Sequence, residues 1–391
     1  MSAAAARRRK QLLKKQQANA ASGDPVNARL QTLLAGDEDS GESVAYEALQ
    51  LAQSQIRRLE KQNQPDEAVK LAIDVSMTLL EKKDRMVSVA SQLLGLLAEI
   101  LNESQTDCTD ESVTKMVKLD SAYKKALKDG YDMKCDKDKE EVERLQRLHM
   151  SFLKKIARWS IERGTIQHGN MTLHSLVGEQ CWIVGLHSQS TDQDDEEAQE
   201  AIHERRAESV VHLALAEKPQ RIFELLKTLP SPTKDEESMG RNGGTAAERD
   251  LLLTRSVLVF IALENLRDAN ALLSSYVNDI PHDRSIETLA KSYMNKTDGF
   301  APSHIMFCNM LLQICEKERA GPLFQWLLKN FNKELQTLKP DVKPYTTKIG
   351  RVYFGIMPPP SMLNMMENMM GMMGGAGGNP MAAMAAMQGA M

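Results

Sequence analysis

Histidine, cysteine and glycine are the residues of this chain that could do chemistry, and their spacing decides against most of it. His168 and His174 are six apart, so they do not share a helical face as a metalloprotease pair would. Turn or helix-capping roles suit them better. His212 sits among Val210, Val211 and Leu213, the setting of a satisfied core histidine. The five cysteines, Cys108, Cys135, Cys181, Cys308 and Cys315, include no Cys-x-x-Cys pair, and their odd number argues against a disulfide framework. Cys308 and Cys315 are two helical turns apart and share a face with Leu311 and Leu312, which reads as core packing. Gly243-Gly244 lacks the lysine and the preceding strand of a phosphate loop, and no Gly-x-Ser-x-Gly occurs. No nucleophile, base, metal or cofactor constellation emerges, so the chain reads as non-enzymatic.

The remaining distinctive features concern contact with other molecules. Arg57, Arg58, Lys61 and Lys70 flank one helix turn and read either as a basic face for an acidic partner or as a solvated helix face with Glu60, Asp66 and Glu67 mixed in. Twelve of the 23 methionines lie from Met357 onward, interrupted by one charge, Glu367. Methionine is flexible and polarizable, so such a tail can repack around varied apolar partners, with Met366 and Met384 as candidate client contacts. A low-complexity disordered tail is the alternative reading. The net charge of -4 gives no general case for nucleic-acid binding. No apolar run approaches the roughly 20 residues of a membrane span. The basic Arg7–Lys10 and Lys14-Lys15 clusters read as a solvated tail, and reduced thiols fit a cytosolic protein.

Helices must position these residues. Val44, Ala48, Leu51, Ala52, Ile56 and Leu59 recur at helical spacing, and Pro65 with Asp66 and Glu67 opens the next helix. Similar stripes cover Ala90–Leu101, Val142–Trp159, Met171–Leu186 and Ala198–Glu217, and Pro219 opens a further helix. Residues 104–140 read as a charged loop with one weak helix over Val117–Leu127. Thr245 to Glu248 forms a capping box before Leu251, and Asn265–Val277 completes that hairpin. Helices follow over Ser303–Cys315, Gly321–Leu335 and Val342–Phe354. Trp159, Trp182 and Trp326 are expected to anchor helix packing. Residues 278–302 form an insertion longer than most loops. The sum predicts an all-α chain, a right-handed α-solenoid of degenerate tetratricopeptide-like hairpins with disordered N- and C-terminal tails.

Several segments then match one family. They are Tyr46-Glu47-Ala48, Arg58 and Glu67-Ala68, Phe152-Leu-x-x-Ile-Ala-Arg-Trp159-Ser160, Thr172-Leu-His174 with Trp182, and Tyr345-x-x-Lys-Ile-Gly350-x-x-Tyr-Phe-Gly355-x-x-Pro-Pro. Over about 29–360 the chain resembles the fourth component of the guided-entry pathway for tail-anchored membrane proteins, a cytosolic helical-repeat scaffold. The resemblance implies a basic tail at 1–28, a targeting-ATPase-facing half at 29–187, an adaptor-facing half at 188–355 and a methionine-, glycine- and alanine-rich tail at 356–391. It implies a bridge from a ubiquitin-like adaptor, and through it a co-chaperone and client, to the ATPase that delivers clients to the endoplasmic reticulum. On that reading Arg57, Arg58, Lys61 and Lys70 face the ATPase, while Ile280, Tyr293, Met294 and Phe300 lie in the adaptor-contacting insertion. Two other readings compete. One is a helical-repeat subunit of a large complex of proteasome-lid type, which would end in a winged helix with short strands. The other is a chaperone that binds apolar clients through its methionine tail.

Overall fold

The computed structural model describes residues 25–35, 42–81, 86–187, 196–229, 248–279 and 303–357. Among them run fifteen α-helices and no strand. These are α1 (Pro25–Ala35), α2 (Glu42–Lys61), α3 (Pro65–Glu81), α4 (Val87–Glu103), α5 (Asp110–Gly130), α6 (Asp136–Arg163) and α7 (Met171–His187). They continue as α8 (Glu196–Leu215), α9 (Pro219–Thr228), α10 (Glu248–Ala262), α11 (Leu266–Asp279), α12 (Ser303–Cys315), α13 (Gly321–Asn330), α14 (Asn332–Gln336) and α15 (Lys343–Phe354). Most neighbours in sequence pack against each other, as in a helical solenoid.

Local chemistry explains the element ends. Asn63, Glu217 and Glu264 take positive φ in the turns after α2, α8 and α10. Each such turn closes a helix and returns the chain as a hairpin. Proline occupies the first turn of α9, α13 and α15, where its missing N–H costs nothing.

Two places differ from expectation. The segment read as a loop with a weak helix is the 21-residue α5. Thr109 caps it in a reciprocal pair with Ser112, and Val113, Met116, Leu119, Tyr123 and Leu127 bury one stripe. Its interspersed lysines face water and dilute the stripe in sequence. The helix expected over Gly321–Leu335 breaks at Phe331, whose buried ring packs 5.6 Å from Phe307 and separates α13 from α14.

Apolar burial forms two clusters. The first runs from Leu30 to Val184 and the second from Trp182 to Ile349, so α7 contributes to both. At the seam, α7 and α8 lie along each other at close range. A Cβ on Gly178 would sit 2.7 Å from Leu213 Cγ, so only glycine allows the backbones this near. Ser209 Oγ donates to the Gly178 carbonyl at 2.7 Å across the same contact. Arg206, only 4% exposed, ties α8 to α10 through Glu248 Oε2 at 2.7 Å and lies over the Trp182 ring. Burial alone would raise the Glu248 pKa, yet His203 and Arg206 hold that carboxyl below its usual value.

Candidate partner-docking surfaces

The basic residues of the first hairpin occupy exposed positions on two consecutive helices. Arg57, Arg58 and Lys61 end α2, Lys70 lies in the second turn of α3, and all four side chains are exposed. Between them the chain turns at Asn63, with the Gln64 N–H returning to the Leu59 carbonyl at 3.0 Å. Arg58 and Lys61 stand at the C-terminal end of a helix dipole, where cations are favoured. Inside, Ala52, Ile56, Ala68 and Ala72 fill the hairpin, so the charges lie on the outward side of a packed, rigid element. Asp66 and Glu67, also exposed, open α3 beside them. The end of the hairpin is therefore mixed in charge, with Glu60 among the cations of α2 and Asp66 and Glu67 preceding Lys70 on α3.

The other end of the chain differs in chemistry. On α13, Phe324 and Leu327 are buried, while Leu323 and Trp326 are 48% and 50% exposed. Trp159 and Trp182 are the packing anchors expected of them, and Trp326 is not. Trp326 lies about 200° around the helix from Phe324, and Phe324 owns the inward face by stacking on Phe354 at 4.7 Å. Val352 on α15 and Met357 just after it are also exposed apolar residues. Spacing alone held the signal for this face, since Phe324 and Leu327 form one stripe and Leu323 and Trp326 another. Ile280, Tyr293, Met294 and Phe300 lie outside the described residues, as do Met366, Met384 and the tails.

The histidines form an arrangement that their sequence separation hides. His174 Nε2 lies 2.7 Å from the His168 carbonyl oxygen, which only accepts, so Nε2 carries a proton. In the neutral ring His174 Nδ1 then accepts from His212 Nδ1–H at 2.8 Å, and the two rings stack. Burial holds both below the usual histidine pKa, His212 at about 3, where the neighbouring His174 and Lys154 add to the effect. This is a structural clasp between α7 and α8. Cys308 is buried and Cys315 half-buried in the second core, as packing residues. Among the described residues no group of three or more histidine, cysteine or acidic side chains is arranged to hold a metal ion.

With this geometry in view, the family model described as "Golgi to ER traffic protein 4" matches residues 62–373, well over half of the chain. The chain belongs to that family. A curated relative, "Protein GET4" of Arabidopsis thaliana, is 23% identical over 301 residues, covering 74% of this chain and 79% of its own. A solved structure, the crystal structure of Get4 from C. therm., is 20% identical with a TM-score of 0.48, covering 90% of this chain and 97% of that chain. As a Golgi to ER traffic protein 4 family member, the chain is a scaffold component of the guided-entry pathway. The family match begins at the turn after α2, so it takes in Lys70 but not Arg57, Arg58 or Lys61. No helix among the described residues is long and apolar enough to cross a membrane.

Proposed function

We propose that this family member is a non-enzymatic bridge in the cytosol. Its N-terminal half engages the pathway's targeting ATPase and its C-terminal half holds the ubiquitin-like adaptor that brings co-chaperone and client. The tail-anchored client then passes to the ATPase for delivery to the endoplasmic reticulum. The observation that carries this reading is one exposed cationic hairpin end on the first core and one exposed leucine–tryptophan pair on the second. The exposed cations of Arg57, Arg58, Lys61 and Lys70 sit on the first core, and the exposed Leu323 and Trp326 sit on the second. Two such sites on one stack suit two partners held at once. Charge suits fast, salt-sensitive capture of an ATPase that must come and go, whereas apolar contact suits a lasting adaptor.

The adaptor arm lies in 278–355 and includes Ile280, Tyr293, Met294 and Phe300. The full chain with Asp279–Thr297 deleted should lose adaptor binding in calorimetric titration while keeping ATPase binding and its helical circular dichroism. Adaptor binding undiminished by the deletion would refute the assignment.

A further inference from the structure

We propose that Arg206 and Trp182 form a buried binding site for a carboxylate at the junction of α7, α8 and α10.

Hydrogen-bond donors mark the site. Arg206 is 4% exposed and Trp182 is 2% exposed. Arg206 Nη1 donates to Glu248 Oε2 at 2.7 Å. Its Nε and Nη2, and Trp182 Nε1, have no acceptor among the described residues. Buried N–H groups without an acceptor are costly, most of all on a cation, and folded proteins rarely leave them so. Both Glu248 oxygens are engaged already, Oε2 by Arg206 and Oε1 by His203 Nδ1 at 3.3 Å. His203 and Glu248, 21% and 30% exposed, border the site toward solvent.

The geometry points to the ligand's class. Nε and Nη2 make up the side of a guanidinium that grips a carboxylate with two parallel hydrogen bonds. This chain uses that side twice in more exposed settings. Arg221 holds Glu179 through Nε and Nη2 at 2.6 and 2.8 Å. Arg144 holds Glu141 in the same way at 2.8 and 2.6 Å. On Arg206 the same side is buried. Trp182 Nε1 is a third donor close by, because Arg206 Cζ lies over the Trp182 ring at 5.8 Å from its centroid. Two oxygens suit three N–H groups. A phosphate brings four oxygens and more negative charge beside Glu248, whose carboxyl is held ionised by His203 and Arg206.

The site's position gives it a consequence. Trp182 stands on α7, which contributes to both apolar cores, and Arg206 stands on α8 across the close seam at Gly178. A bound carboxylate joins α7 to α8 where the cores meet, beside the tie to α10, and so stabilises the folded chain. Two sources carry this chemistry, a small free acid and an acidic side chain of another protein.

The test uses the full chain labelled with nitrogen-15, whose three tryptophans give three indole N–H signals. Trp182→Phe assigns the relevant one. Sodium acetate replacing sodium chloride at constant ionic strength should move the Trp182 signal downfield to saturation. The Trp159 and Trp326 signals should stay in place, and the melting temperature should rise by a few degrees. Arg206→Lys keeps the charge but loses the fork, so both responses should vanish. Arg221→Lys should leave them unchanged. In a parallel arm a short peptide with blocked ends and one aspartate replaces acetate. A response to acetate alone assigns a small free acid, and a response to the peptide at lower concentration assigns a protein side chain. No shift of the Trp182 signal with either probe would overturn the proposal, as would an equal shift with inorganic phosphate. Both of those outcomes are read on the unsubstituted chain, so they stand even if Arg206→Lys fails to fold.

Discussion

At the residue scale, the buried polar groups set how this scaffold responds to acid. His149 is fully buried, stacked 4.1 Å from Tyr123, and held to about 3 by burial, with the Lys124 charge acting in the same direction. The groups around it are Asp120, with Oδ1 3.3 Å away, Tyr123, Lys124 and Gln180. A histidine whose folded pKa is depressed contributes stability that is complete above its unfolded pKa of 6.5. That stability is lost as pH falls from there toward the folded value near 3. The slope over that window is up to about 1.4 kcal/mol per pH unit for each such group. His149→Phe keeps a ring on Tyr123 and leaves Asp120 paired with Lys124. Denaturant titrations at pH 7, 6 and 5 should therefore show a shallower loss in the variant. Parallel curves would mean that His149 does not titrate on unfolding. The sequence marked His212 as a core residue, but a partner 38 positions away left no local trace, so the clasp with His174 was not legible.

Helices were the legible level, because their stripes are local. Prolines, caps and 3.6-residue spacing placed most of them within a few residues of the observed ends. What escaped was α5, where exposed lysines mask the buried stripe, and the break at Phe331, which a tertiary contact with Phe307 imposes. The outward turn of Trp326 escaped for a related reason. Size suggested an anchor, whereas the face was already taken by Phe324. At this scale the closest helix pair gives a sharp expectation. Gly178→Leu drives a side chain into Leu213 and toward the Ser209 carbonyl, so α7 and α8 must separate. Overpacking of this kind costs about 1–3 kcal/mol, and both cores share the seam. The urea midpoint should drop, while Gly95→Ala should be far milder because nothing lies within 4 Å of its added methyl. Equal effects at the two glycines would show that the seam is not a tight contact.

Viewed whole, the molecule is two apolar cores joined through α7 and α8. Family membership follows from the match over 62–373, and the solenoid from the helices themselves. On the proposed bridge, the basic end of the first hairpin meets the ATPase. Single exposed ion pairs are worth only about 0.2–1 kcal/mol, so several cations must act together. The decisive measurement is binding of the full chain carrying Arg57→Glu, Arg58→Glu and Lys61→Glu to the targeting ATPase and, separately, to the adaptor, each at low and high salt. The expected result is a strong loss of ATPase binding, unchanged adaptor binding, and a wild-type ATPase affinity that weakens as salt rises. ATPase binding that survives the triple reversal would contradict the account.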